Sequence, residues 1–435
     1  VTNFELVLRL FLQLTVVLGT CRAVSFVLKR LGQTSVVGEM VAGMLLGPSL
    51  LGLVAPAAEA WLFPKAPLIL ATGASVPNPS MSILGAISQV GLVLYMFLVG
   101  AELDLGLLRE RARGAALVSL SGIAAPFALG AAASFFVRER DGTLFADGVD
   151  GTTAALYLGA AMSITAFPML ARILFERGLA KSRLGVLTLA AGATDDVIAW
   201  CMLAAVLSWT KHDARIAALA IGGAIGFAFV AHAIVGRFVL APLARRAERT
   251  GASPATIAIV LVLLFFSAFV TDAVGVHAVF GAFVLGTALP RGVLSRDLFE
   301  KLEPLTTAVL VPMFFANAGL NASLGLLGSG SRWALTGVLA LVAVVGKLGA
   351  CSVAARATGE SWRDALTVGT LMNTRGMMGL IILTIGLEQR VLSPALYSML
   401  FFVALVTTLA TSPIVARLTG PAARAVEGSV RRSAP

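Results

Sequence analysis

The chain is expected to fold as an all-α polytopic membrane protein with about thirteen transmembrane helices, and three observations lead there. Apolar residues make up 58% of the 435 and charged ones 13%, against roughly 45–50% and about 25% in soluble domains. Apolar runs long enough to cross a bilayer as helices recur along the whole chain, with short polar breaks between them. The basic residues collect on alternate loops, the pattern of a multi-pass chain.

The runs are Phe4–Leu28, Val36–Val54, Ile83–Leu103, Ala115–Val137, Thr153–Phe175, Leu184–Trp209, Ile216–Leu240, Ala255–Thr271, Val276–Leu289, Leu305–Leu324, Trp333–Ala355, Ala365–Leu387 and Pro394–Leu418. The first lacks a basic n-region and an A-x-A site, so it is expected to be a span and not a cleaved leader. The longest loop, Ala55 to Met81, is rich in Pro and Ala and is expected to carry a short surface helix around Glu59–Leu62. No Gly-rich phosphate loop is visible, and no soluble C-terminal regulatory domain is expected.

The net charge of +10 invites a nucleic-acid reading, which its distribution removes. With the N-terminus outside, the inner loops hold clusters such as Arg109, Arg111 and Arg113, then Arg172, Arg177, Lys181 and Arg183, then Arg245, Arg246 and Arg249. The outer loops hold scattered residues such as Lys65, Arg332 and Arg390. The bias favours N-out, C-in. Cys21, Cys201 and Cys351 lie apart in apolar runs, and His212, His232 and His277 are equally scattered. Neither set has metal-ligand spacing, so no disulfide, metal or cofactor is expected. His277, near a span end, reads as structural.

Chemistry concentrates in Ala191–Trp200. Asp195 and Asp196 are adjacent in the middle of an apolar run, and carboxylates at that depth are costly unless they move ions or protons. Helix neighbours differ by about 100°, so the two cannot share a face: one can line a cavity while the other meets a partner helix. The bland alternative is a pair of structural acids. Lys347 lies mid-span between Gly346 and Gly349, where it can neutralise an aspartate or lose its proton to an arriving cation; the alternative is a snorkelling side chain. Arg375, in Asn373–Gly379, stays charged, so its expected work is static: neutralising a helix C-terminus or an acid. That stretch and Ser163–Pro168 both carry residues that loosen a helix at mid-depth. Ser163 and Thr165 add hydroxyls. Discontinuous helices offer backbone groups to ions near the midplane; an ordinary proline kink is the alternative.

These residues, together with Gly38–Gly52, Phe97–Asp104, Gly275–Phe283 and Pro312–Leu320, resemble the monovalent cation:proton antiporter superfamily over nearly the whole chain, within its second branch: Kef-type antiporters, plant cation/H+ exchangers and Asp-Asp-motif sodium/proton antiporters. The resemblance implies inverted repeats with two crossing broken helices, here Ser163–Pro168 and Asn373–Gly379. It implies a moving core domain, roughly 83–209 and 305–418, working by elevator-type alternating access against a dimerisation domain, roughly 1–54 and 216–289. It makes Asp196 the cation and proton carrier, Asp195 the mark of electrogenic members with Lys347 as its charge partner, and Thr165 a neighbour of the ion. Arg375 and Asn373 would stabilise the helix crossing.

The expected function is therefore secondary antiport of Na+ or K+ against H+, not catalysis, by a homodimer in a bilayer, with a bacterial inner membrane as the expected location. Electroneutral 1:1 K+/H+ exchange is the alternative within transport. An ion-coupled organic-anion symporter or a cation channel is the alternative outside it, although no filter-like carbonyl loop is visible. An intramembrane aspartyl protease is excluded, because adjacent aspartates on one helix cannot sandwich a peptide bond.

Overall fold

A computed structural model describes residues 3–64, 68–69, 75–76, 78–103, 112–180, 182–210, 214–328 and 330–419. Lys65, Asp104, Arg109, Arg111, Lys181, His212 and the tail beyond residue 419 lie outside the described residues.

Every apolar run carries helix, interrupted within Thr153–Phe175 and Ala365–Leu387. The helices are α1 (Asn3–Arg30), α2 (Ser35–Leu46), α3 (Pro79–Glu102), α4 (Ala112–Arg140), α5 (Gly151–Ser163), α6 (Phe167–Glu176), α7 (Arg183–Thr210), α8 (Ala214–Phe229), α9 (Pro254–Ala273), α10 (Ala278–Thr287), α11 (Val293–Leu305), α12 (Val311–Leu320), α13 (Gly330–Val344), α14 (Ala350–Ala357), α15 (Trp362–Met372), α16 (Met377–Glu388) and α17 (Pro394–Thr419). Wider π turns continue three of them: Val230–Leu240 after α8, Thr306–Leu310 after α11 and Val345–Gly349 after α13. Among the described residues, ten helices are long and apolar enough to cross a membrane. The remaining runs carry the short α10 and the pairs α5/α6 and α15/α16.

Two boundaries differ from the hydropathy reading. The helix after Leu240 continues through Ala241–Thr250, and α11 begins at Val293, ahead of Leu305. Hydropathy stops where charge begins, whereas helix continues as long as one face stays buried. Here Ala244 and Ala247 are buried beneath Arg245, Arg246 and Arg249, and Leu294 and Leu298 beneath Arg296 and Lys301. The loop after α2 holds a helix over Pro56–Leu62 and a two-residue antiparallel ladder, Leu68–Ile69 with Ser75–Val76, small exceptions in a helical chain.

Contacts group the chain into two compact units. The first comprises Val1–Thr20, Ala55–Leu105 and Leu207–Asn317; the second comprises Cys21–Val54, Gly106–Val206 and Ala318–Pro435. Grouping by contact is a different criterion from grouping by motion, and it places 83–105 and 305–317 in the first unit and 21–54 in the second. In the first unit α3 lies against α10 at backbone distance. A Cβ on Gly100 would come 2.2 Å from the Phe283 carbonyl oxygen, and one on Gly286 would come 2.2 Å from that of Phe97. Small residues of this kind let apolar helices gain dispersion contact where lipid supplies no hydrophobic drive. On α9, Val262, Phe265, Phe266 and Phe269 stay exposed, a stripe suited to acyl chains. His277 accepts from the Val279 N–H and caps α10.

In the second unit α4 runs along α5 and α14, and α17 packs on α13 and α15. Its loops are tied at one end by Arg332 to Asp141 at 2.8 Å and by Arg138 to the Val149 carbonyl at 2.6 Å. Arg183 to Glu360 at 2.9 Å makes a further tie. Side-chain caps set helix starts: Asp150 accepts from the Thr153 N–H and Ser361 from that of Asp364.

Candidate cation site

The site lies within the second unit, where two interrupted helices meet. α5 ends at Ser163, the backbone extends through Ile164–Ala166, and α6 starts at Phe167. Pro168 falls in the first turn of α6, where its missing N–H removes no helical bond. α15 ends at Met372, and α16 starts at Met377 after Gly376. The two breaks bond to each other directly: the Ala166 N–H donates to the Thr374 carbonyl at 2.9 Å.

A helix stopped inside a bilayer leaves its last carbonyls without partners. At the end of α5 two cations supply them. Arg375 donates through Nη1 to the Ala161 carbonyl at 2.8 Å and through Nη2 to that of Met162 at 2.5 Å. Lys347 Nζ donates to the Ser163 carbonyl at 2.5 Å. Both side chains are buried, and both complement the negative end of the half-helix dipole. Thr408 of α17 accepts from the Arg375 N–H at 3.1 Å and donates to the Arg375 carbonyl, which fixes the second break.

The adjacent aspartates of α7 are both 1% exposed, yet their surroundings are opposite. Asp195 receives three donors: Lys347 Nζ at 2.6 Å and Thr165 Oγ1 at 2.7 Å on Oδ2, and Ser119 Oγ at 2.5 Å on Oδ1. Among the described residues, neither oxygen of Asp196 has a side-chain partner within hydrogen-bond geometry. The group turned toward Asp196 is the Phe167 N–H at the start of α6, the positive end of the second half-helix. A buried carboxylate without a donor carries its full desolvation cost unless a proton or cation neutralises it. The site thus holds one satisfied acid–base pair and one acid open to a small cationic ligand.

The structure brings Asp195, Lys347 and Thr165 into one cluster, with Asp196 on the next position of the same helix and Arg375 at the same half-helix end. Thr165 also lies 3.0 Å from the Met372 carbonyl, so one hydroxyl links both breaks. Ser163 differs from the expectation of a hydroxyl contribution: its Oγ turns back to the Ala160 carbonyl at 2.9 Å, and its own carbonyl serves Lys347. Asn373 is buried, and its Oδ1 has no partner among the described residues. Lys347 sits inside the π turn Val345–Gly349, a local widening that recurs at functional positions. Ser119, on α4, escaped the sequence reading. Its signal was a hydroxyl inside an apolar run, but Ser121 two residues later gives the same signal and lines a different face. Among the described residues no group of three or more His, Cys, Asp or Glu side chains could hold a metal ion.

Comparison with known proteins places the chain in a family. The family model for the sodium/hydrogen exchanger transmembrane region matches residues 14–418. The Na+/H+ antiporter NhaS4 of Synechocystis sp. is 37% identical over 409 residues, covering 93% of this chain and 95% of that protein. Cation/H+ antiporter 18 of Arabidopsis thaliana is 34% identical across 95% of this chain, and K+/H+ antiporter 1 of Saccharomyces cerevisiae 30% across 94%. The chain spans about half the length of those two, 49% and 46% respectively. Among solved structures, the sodium proton antiporter MjNhaP1 of Methanocaldococcus jannaschii aligns over 96% of this chain and 98% of its own, with a TM-score of 0.60 at 13% identity. That likeness is one of fold.

Proposed function

Because the chain belongs to the sodium/hydrogen exchanger family, we propose that it is a secondary antiporter exchanging Na+ or K+ for protons across a membrane, with Asp196 as the exchanging group. The observation that carries this reading is the contrast at α7: Asp196 is sealed from solvent with neither oxygen partnered by a side chain among the described residues, while its neighbour is fully paired. A carboxylate in that state rests only with a proton or a cation bound. Because both ligands compete for one group, the site turns over loaded with one or the other, and the two fluxes are coupled.

Asp195 and Lys347 form a second titrating unit that responds as a pair. Cation arrival beside Asp196, or the inward turn of the site, parts them, and Lys347 releases a proton. With the proton from Asp196, two H+ move per cation and the cycle is electrogenic. The motion is elevator-type alternating access by the site-bearing segments, outlined in the sequence as 83–209 with 305–418. The protein works as a homodimer with its N-terminus outside, in a bacterial inner membrane. The relatives' names divide between Na+ and K+, so both ions stay in the proposal.

The test is solid-supported-membrane electrophysiology on proteoliposomes, with Na+ and K+ jumps at several pH values, run beside a pH-dye assay. Transient currents with cation-driven proton flux are expected, and Asp195→Asn removes the current while leaving exchange. Dye-reported exchange without current overturns the two-proton scheme in favour of electroneutral antiport. Silence with both ions in both assays overturns antiport itself.

A further inference from the structure

We infer that Ser119 is a positioning residue for this exchange: its hydroxyl holds Asp195 in the orientation that pairs with Lys347 and thereby sets the pH at which the pair opens. The inference rests on the proposed function above.

The hydroxyl behaves unlike its neighbours. Serine and threonine in apolar helices ordinarily return their proton to a carbonyl one turn back. Ser88, Thr188 and Thr194 do so here, at 2.8, 2.7 and 2.9 Å from the carbonyls of Leu84, Leu184 and Ala190. Ser119 instead points across to Asp195 Oδ1 at 2.5 Å, the length of a charge-assisted O–H···O⁻ bond, and is 0% exposed. It occupies the oxygen that Lys347 and Thr165 leave free, since both of those bind Oδ2.

The same stripe of α4 is shaped to admit the lysine. Three residues on, a Cβ at Gly122 would fall 2.4 Å from Cys351 Sγ and 3.6 Å from Lys347 Nζ. Four further on, Pro126 meets the π turn at Gly346, where a Cβ would lie 2.9 Å from the Pro126 Cα. Spacings of three and four put Ser119, Gly122 and Pro126 on one helix face. α4 is thus the third wall of the pair. The ionisable groups around it are Asp195 and Asp196 from α7, Lys347 and Cys351 from the π turn and α14, Tyr157 from α5, and Arg375 beyond the end of α5. Tyr157 is spent on the Ile382 carbonyl and Arg375 on those of Ala161 and Met162, so neither competes for Asp195.

The experiment measures cation-driven proton flux against pH in proteoliposomes for wild type, Ser119→Ala and Ser119→Thr. It adds melting temperatures in detergent for wild type, Ser119→Ala, Asp195→Asn and the double variant. Without the Ser119 donor Asp195 no longer holds the orientation that pairs with Lys347, so half-activation in Ser119→Ala shifts by about one pH unit. Ser119→Thr restores the profile. In the melting cycle Ser119→Ala lowers the transition in the parent and lowers it less when Asp195→Asn is already present, because the neutral amide oxygen accepts a weaker bond. Superimposable pH profiles, or a melting loss equal in both backgrounds, overturn the inference. Wild-type liposomes that exchange nothing overturn the proposed function alone, because the melting cycle still reads the Ser119–Asp195 coupling.

Discussion

Asp195 and Asp196 are chemically identical, consecutive and equally buried, yet among the described residues one has three side-chain donors and the other none. The difference comes from the helical turn of about 100° between them. One position looks into the wall made by α4, the first break and the Lys347 π turn; the other looks toward the start of α6. Burial alone therefore does not set an acid's surroundings: the same helix ties one buried carboxylate to Lys347 and leaves the next without a side-chain donor among the described residues.

The contrast breaks most completely at Asp196. Asp196→Asn keeps the shape and removes the charge, so cation-driven proton flux in proteoliposomes is expected to fall to background. Because no side-chain donor is lost and a buried charge is removed, its melting temperature stays at or above the parent's. Flux that survives in Asp196→Asn would mean that the wrong aspartate carries the ion.

On the paired side the expected loss is in stability. Lys347→Ala leaves Asp195 charged, buried and without its cation, a defect of about 3–5 kcal/mol. Replacing both partners is milder than replacing one, so Lys347→Ala with Asp195→Asn should melt higher than Lys347→Ala alone. Equal melting of the single and double variants in detergent would show that the pair carries no such coupling. A smaller effect is expected one helix end away. Arg375→Lys keeps the charge but cannot bridge the Ala161 and Met162 carbonyls with a planar fork. It should cost about 1–2 kcal/mol and leave the cation preference unchanged in ion-jump assays. A changed Na+ to K+ ratio would instead place Arg375 among the groups that sense the ion.

Much of this was legible in the sequence for one reason: in lipid, polarity is expensive, so each mid-span charge stands out. Asp195, Asp196, Lys347 and Arg375 were visible for that cause, and so were the two breaks, through Pro168 and the Asn373–Gly376 run. What stayed hidden was direction. Nothing in the order of residues says that Ser163 turns its hydroxyl back to Ala160 while Thr165 sends its own to Asp195. Nor could Ser119 be separated from Ser121 before α4 was seen against α7, because a hydroxyl is cheap enough in a helix to occur without a task. The extensions of helix past Leu240 and ahead of Leu305 were missed because hydropathy ends at the first charges, where burial of one face continues.

The smallest effect expected lies outside the spans and tests the rule in a wet setting. Asp141, after α4, accepts from the Thr143 hydroxyl at 2.5 Å and from the Thr143 N–H at 3.1 Å, and pairs with Arg332. The Thr143 hydroxyl first, and Arg332 with it, hold its carboxyl below the usual carboxylate range. A group whose folded value is lowered contributes stability above its unfolded value, near 3.9, and loses it as pH falls through the folded one. Asp141→Asn should therefore lower the melting temperature at pH 6 and make no difference near pH 2. The contribution is under about 1 kcal/mol, because water shares the site. Paired like Asp195 but solvated, Asp141 should register only as this slight acid-side loss; a drop at pH 6 as large as that of Lys347→Ala would mean that pairing, and not burial, sets the scale in this protein.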